Sequence, residues 1–205
     1  MSPGTKRKPR ASLVFRSIVV LCVCVPLVVF AHHWATYPSD KTPAGAYLRV
    51  ARAVNQGKPA AFFAYTEEAA QHACYSIRDF RRQSLELVKR HFPVPEQQKL
   101  REAYGRFAEA PDGADVFALL VQEYGWLHQL RQDMSGISKV DVSGPRATVQ
   151  TVKGTRYAFR RRPGGIWGLT AFTPALVEEA EKAARDFKQV AKAAADYDRA
   201  LSTAP

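Results

Sequence analysis

Near Ser135-Gly136 the spacing of apolar residues changes from the three-and-four rhythm of helices to short alternating runs. This switch constrains the fold more than any other feature of the chain. Four runs follow it, over 137–142, 146–152, 155–161 and 166–172, each rich in β-branched and aromatic residues. They are separated by Ser143-Gly144-Pro145, Lys153-Gly154 and Pro163-Gly164-Gly165, which supply turn chemistry. Four strands joined this tightly form an antiparallel meander. In the third run Tyr157 and Phe159 fall on one face, with Arg156, Ala158 and Arg160 on the other; in the fourth, Trp167, Leu169 and Ala171 share a face. One side of the sheet is therefore apolar and needs a helical cover, while the other is wet and basic.

The cover is supplied by the segments on either side. Ala46, Leu48, Val50, Ala51 and Val54 predict a helix of about three turns that stops at Asn55-Gln56-Gly57. A short helix over 59–65 buries Phe62 and Phe63. Thr66 then reads as the N-cap of a long helix, with Glu67 and Glu68 over its positive end. That helix carries Ala73, Ile77, Phe80, Ser84, Leu87 or Val88, and His91 at helical spacing and ends before Pro93. Further helices are predicted over 96–108 and, after the Asp112-Gly113 break, over 116–130. At the far end Thr173 is the expected N-cap and Pro174 the first helical residue. Leu176, Ala180, Ala183, Phe187, Val190, Ala194, Tyr197 and Leu201 then form an unbroken seam. Its many alanines suit packing on the chain's own helices or sheet; the alternative is a partner helix, with 176–201 as a homo-oligomer seam. The fold class is α+β.

Charge divides the chain further. It has 205 residues and a net charge of +11, from 30 Lys and Arg against 19 Asp and Glu. Two local features carry the excess. Lys6, Arg7, Lys8, Arg10 and Arg16 precede an uncharged stretch over 17–31, and seven bases against the single acid Asp141 lie within 139–172. A helix over 17–31 covers roughly 22 Å of a ~30 Å hydrocarbon core. Leu13, Val14 and Phe15 extend it when Arg16 snorkels, and His32, His33, Trp34 and Tyr37 suit the far interface. The expectation is a basic cytoplasmic tail (1–16), a transmembrane signal-anchor (17–35), a linker (36–44), an α+β domain (45–172) and a C-terminal amphipathic helix (173–205). On the positive-inside rule the chain is single-pass in the cytoplasmic (inner) membrane, with its domain extracytoplasmic, periplasmic in a Gram-negative cell. The alternative for the same segment is a cleaved signal peptide, with Val29 and Ala31 before the cut.

Four details together resemble the NTF2-like superfamily: a first helix ending in Asn-Gln-Gly (55–57), the apolar short helix at 62–65, the Lys-Gly hairpin at 153–154, and the Gly-Gly-Ile-Trp entry (164–167) to the last strand. The resemblance covers 43–172 and implies a bent sheet wrapped on helices as a cone. Members include isomerases and cyclases that shuttle protons with Asp, Tyr or His in the cone. Here the residues of those types are Tyr65, Tyr124, His128 and Asp133, with Tyr124 and His128 four apart and so expected on one helix face. The chain has more helix over 67–131 than the simplest members, and its long terminal helix is extra.

Other chemistry has thinner support. His72 and Cys74 diverge on a helix, and neither His-Glu-x-x-His nor a Cys-x-x-Cys pair occurs; no metal or cofactor is expected. His32 and His33 read as interfacial polar caps, and Cys74 as a small buried residue. The sharpest charged feature is Arg160-Arg161-Arg162, which with Arg156 forms a basic strand edge. Such an edge either binds an anionic partner, an acidic protein or an anionic surface, or protects an exposed strand from mispairing. Nucleic acid does not suit a domain outside the cytoplasm. The reading is a binding or assembly module without catalytic activity. The alternative is an isomerase- or hydrolase-like enzyme using the cone pocket, which requires Tyr124, His128 or Asp133 to converge in a cavity.

Overall fold

Thr42 opens the first helix: its Oγ1 accepts from the Gly45 N–H at 3.1 Å, and Pro43 takes the first helical position, where a missing N–H is harmless. The computed structural model describes residues 38–202. Helix α1 (Pro43–Asn55) ends ahead of Gly57, whose φ of +69° is the left-handed conformation that stops a helix. Helix α2 (Pro59–Phe62) tightens into a 3₁₀ turn, Phe63–Tyr65. The long helix α3 (Glu68–His91) follows, then α4 (Val94–Ala108), α5 (Gly113–Glu123) and α6 (Trp126–Asp133).

Three local expectations need correction, each for an identifiable reason. Thr66 does not cap α3: its hydroxyl donates back to Phe63 O at 2.8 Å, and Glu67 occupies the cap position. Thr173 is the first residue of the last helix rather than its cap, and its hydroxyl donates to the Glu67 carboxylate at 2.8 Å. The single helix expected over 116–130 is two. Asp112 opens α5 with a reciprocal capping box to Asp115, and Gly125, at φ +67°, ends the run and starts α6.

The strands are β1 (Ile137–Ser143), β2 (Arg146–Thr151), β3 (Arg156–Arg161) and β4 (Trp167–Leu169), in the order β1-β2-β3-β4 with every pairing antiparallel. Strand β4 is shorter than its sequence run because the Thr170 hydroxyl donates to Ala158 O and the chain turns there toward the last helix. Ala147, Val149, Tyr157, Phe159, Trp167 and Leu169 point inward and are buried. They meet Tyr47, Val50 and Val54 of α1, Phe62 of α2 and Phe117 of α5. Rings interlock edge-on, Phe62 with Phe117 at 5.2 Å and Phe117 with Phe172 at 5.6 Å. Fully burying each such side chain contributes about 1.5–3 kcal/mol.

Helix α7 (Thr173–Ser202) lies along α3. Leu176 and Ala183 join the main core, whereas Val190 and Ala194 pack with Val88 and Phe92 in a second cluster. From Leu176 to Tyr197 the expected seam is thus covered by the chain itself; the Leu201 side chain lies outside the described ones. Arg81 fastens it: the buried guanidinium pairs with Asp186 at 2.6 Å beneath the Tyr104 ring at 4.1 Å.

The membrane and signal-anchor reading is corrected. Residues 17–35 lie outside the described residues, and no described helix is long and apolar enough to cross a membrane. Helix α7 has the length, thirty residues, but charges such as Glu178, Glu179, Lys182, Arg185 and Asp186 recur along it.

Candidate functional site

Alternation in β3 aims Arg156, Ala158 and Arg160 away from the core while Tyr157 and Phe159 fill it. Register then brings other residues beside them. Arg146 of β2 is directly opposite Arg160, and Gln150 is opposite Arg156. Two arginines facing across a ladder repel unless a carboxylate intervenes.

Glu67 is that carboxylate. One of its oxygens lies 2.8 Å from Arg160 Nη1, the other accepts from the Thr173 hydroxyl, and the residue is only 6% exposed. Its position is fixed by the backbone. The Glu67 N–H donates to Leu169 O at 3.0 Å, making a one-residue parallel bridge along the outer edge of β4. Gly168 permits the approach, because a Cβ there would lie 2.5 Å from Thr66 O.

On either side of Glu67 the surface is concave. A depression of about 570 Å³ is lined by Arg146, Thr148, Arg160 and Thr170, among others. Another, of about 330 Å³, is lined by Glu68, His72, Arg160, Arg161 and Arg162. Arg162 donates to Ala64 O at 2.7 Å. Arg146, Arg156 and Arg161 are exposed and make no ion pair among the described residues. The only acid within 139–172, Asp141, is held by Lys139 at 2.8 Å. The four arginines expected at the basic edge, Arg156, Arg160, Arg161 and Arg162, thus lie on neighbouring parts of β3 and its end. The sequence reading missed the carboxylate among them; the only clue was an acid two residues after the apolar turn at 62–65.

The proton-shuttle candidates are scattered. Tyr124 is the C-cap of α5 and stacks on Trp126 at 4.9 Å; its phenol donates to Glu179 at 2.7 Å. That hydrogen bond, then partial burial and the nearby acids, push its pKa up to about 12. His128 lies in α6, 2.9 Å from Gln132 Nε2, beside a groove of about 800 Å³ lined by Leu119, Leu127, Arg106 and Arg131. Asp133 ends α6 and lines a separate depression of about 350 Å³ with Trp126 and Tyr157. Gly125 is the reason Tyr124 and His128 share no helix face. Tyr65 sits in the 3₁₀ turn, 6.0 Å from the Arg49 guanidinium. Phe62, Phe63, Phe117 and Phe172 pack together in the main core, away from Tyr124 and His128.

Cys74 is buried, and burial pushes its thiol up to about 12, far from a nucleophile's range. His72 lies 3.7 Å from Glu68 on the same helix. Among the described residues no group of three His, Cys, Asp or Glu side chains is placed to hold a metal ion; His32 and His33 lie outside those residues.

No family model, curated protein or solved structure matches this chain.

Proposed function

We propose that this chain is a non-catalytic binding module whose sheet offers a basic outer face to an acidic protein partner. The observation that carries the reading is a set of exposed arginines without an ion pair among the described residues: Arg146 and Arg156 on the outer face of β2 and β3, and Arg161, opposite Trp167, at the end of β3. Glu67 and Thr173 hold Arg160 among them, so part of the positive field is fixed in direction before any partner arrives. Guanidinium groups bind carboxylates through two parallel N–H donors, which suits clustered Asp and Glu. The reading also takes the fold as NTF2-like. Helices preceding a four-stranded meander support this, and an experimental structure with a flat sheet would contradict it.

The test is a fluorescence-anisotropy titration of labelled poly-glutamate with the full chain at several salt concentrations. Binding is expected to weaken as salt rises, since exposed charges are screened. The triple variant R146A/R156A/R161A is expected to bind at least about tenfold more weakly, about 1.4 kcal/mol or more. Equal binding by wild type and triple variant, or none at low salt, contradicts the proposal.

A further inference from the structure

The sheet has two edges. The outer edge of β4 is sealed by the Thr66–Leu169 bridge. Strand β1 pairs with β2 on one side, and no described residue forms a ladder or bridge on the other. An antiparallel edge of seven residues presents a row of backbone donors and acceptors that a further strand completes.

From the charge pattern along this edge we infer that β1 pairs, antiparallel, with β1 of a second copy of the chain about a two-fold axis at Val140. Residues directly opposed in an antiparallel ladder point to the same face. Lys139, Asp141 and Ser143 lie opposite Gln150, Thr148 and Arg146, on the outer face, while Val140 and Val142 lie opposite Val149 and Ala147, on the inner face. A two-fold axis must therefore pass beside a residue and not between two. At Lys139 it sets lysine against lysine, and at Asp141 aspartate against aspartate; both repel. At Val140, the midpoint of Ile137–Ser143, it sets Lys139 opposite Asp141 of the second copy, twice over, and overlaps the strand completely. In the single chain the same two side chains meet at 2.8 Å, so pairing exchanges the two contacts within the separate copies for two equivalent ones between them and strands no charge.

The apolar side agrees with this register. Val140 meets Val140 of the second copy, and Val142, 58% exposed in the single chain, lies diagonally across from it. The register irregularity falls between Ile137 and Lys139, at the end of the strand, and leaves Lys139 to Ser143 regularly paired with β2. The product is an eight-stranded sheet with an isologous interface. Its axis is perpendicular to the sheet, so both basic faces lie on one side and engage an acidic partner bivalently. The pairing does not depend on that partner, and its test uses none.

Sedimentation equilibrium of the full chain over a wide concentration range is expected to show a reversible monomer–dimer equilibrium. K139D and D141K each place like charges opposite one another at two symmetric positions, so each is expected to weaken the dimer roughly tenfold or more. The double variant K139D/D141K restores opposite charges and is expected to return the dissociation constant to within about threefold of wild type. Both side chains are more than half exposed, and circular dichroism on each variant establishes that it folds. A chain monomeric at every concentration, single variants that dimerise like wild type, or a double variant that stays weak would each overturn the inference.

Discussion

The two edges of the sheet begin from the same strand geometry and are finished in opposite ways. At β4 the chain brings Thr66 and Glu67 alongside, removes the side chain at Gly168 so that the backbones can meet, and buries a carboxylate between Arg160 and Thr173. At β1 no described residue pairs with the outer backbone edge, and the outer face carries Lys139 and Asp141, each balancing the other. Polar groups near the β4 edge are spent on holding the monomer together. Those at β1, and the outer-face arginines without an ion pair among the described residues, are exposed, and they are the groups proposed to meet partners.

Substitutions separate the two roles. The largest loss is expected at Trp167, which is 4% exposed and donates its indole N–H to Lys41 O at 3.1 Å. Trp167→Ala should cost about 3–5 kcal/mol in urea denaturation, and a loss under about 1 kcal/mol would show that β4 is not an anchored edge. Gly168→Ala should cost about 2–3 kcal/mol, because the new methyl meets backbone atoms that cannot rotate aside. Its control is Gly164→Ala, where a Cβ meets nothing within 4 Å and the melting temperature should hardly move. Glu67→Gln should cost about 1–2 kcal/mol: the amide still accepts from Thr173 but no longer offsets Arg160 against Arg146, and the half-exposed guanidinium is screened by water. K139D should stay within about 0.5 kcal/mol of wild type in stability while losing self-association. A large destabilisation by K139D would erase the contrast between the edges.

The sequence made the strands legible because Gly144, Gly154 and Gly165, all at positive φ, mark the turns and the apolar alternation between them is clean. The seam of α7 was legible for the same reason, an unbroken period. Helix breaks were harder. Gly125 interrupts a run whose apolar spacing continues through it, so periodicity alone joined α5 to α6 and put Tyr124 and His128 on one face. Two threonines misled as caps, since a hydroxyl's partner depends on what the tertiary fold brings near: Phe63 O for Thr66 and Glu67 for Thr173. The basic edge could be read from composition, but not the buried Glu67 within it. Its partners Arg160 and Thr173 lie far along the chain, and only the β4 bridge brings them together.

The outer sheet face is the surface proposed to meet an acidic partner. The most direct measurement is amide chemical-shift mapping of the full chain as an acidic peptide is added. Shifts are expected to cluster at residues 146–148 and 156–162, leaving the groove around Leu119 and His128 unmoved. Shifts confined to that groove, with the arginine strands silent, would contradict it.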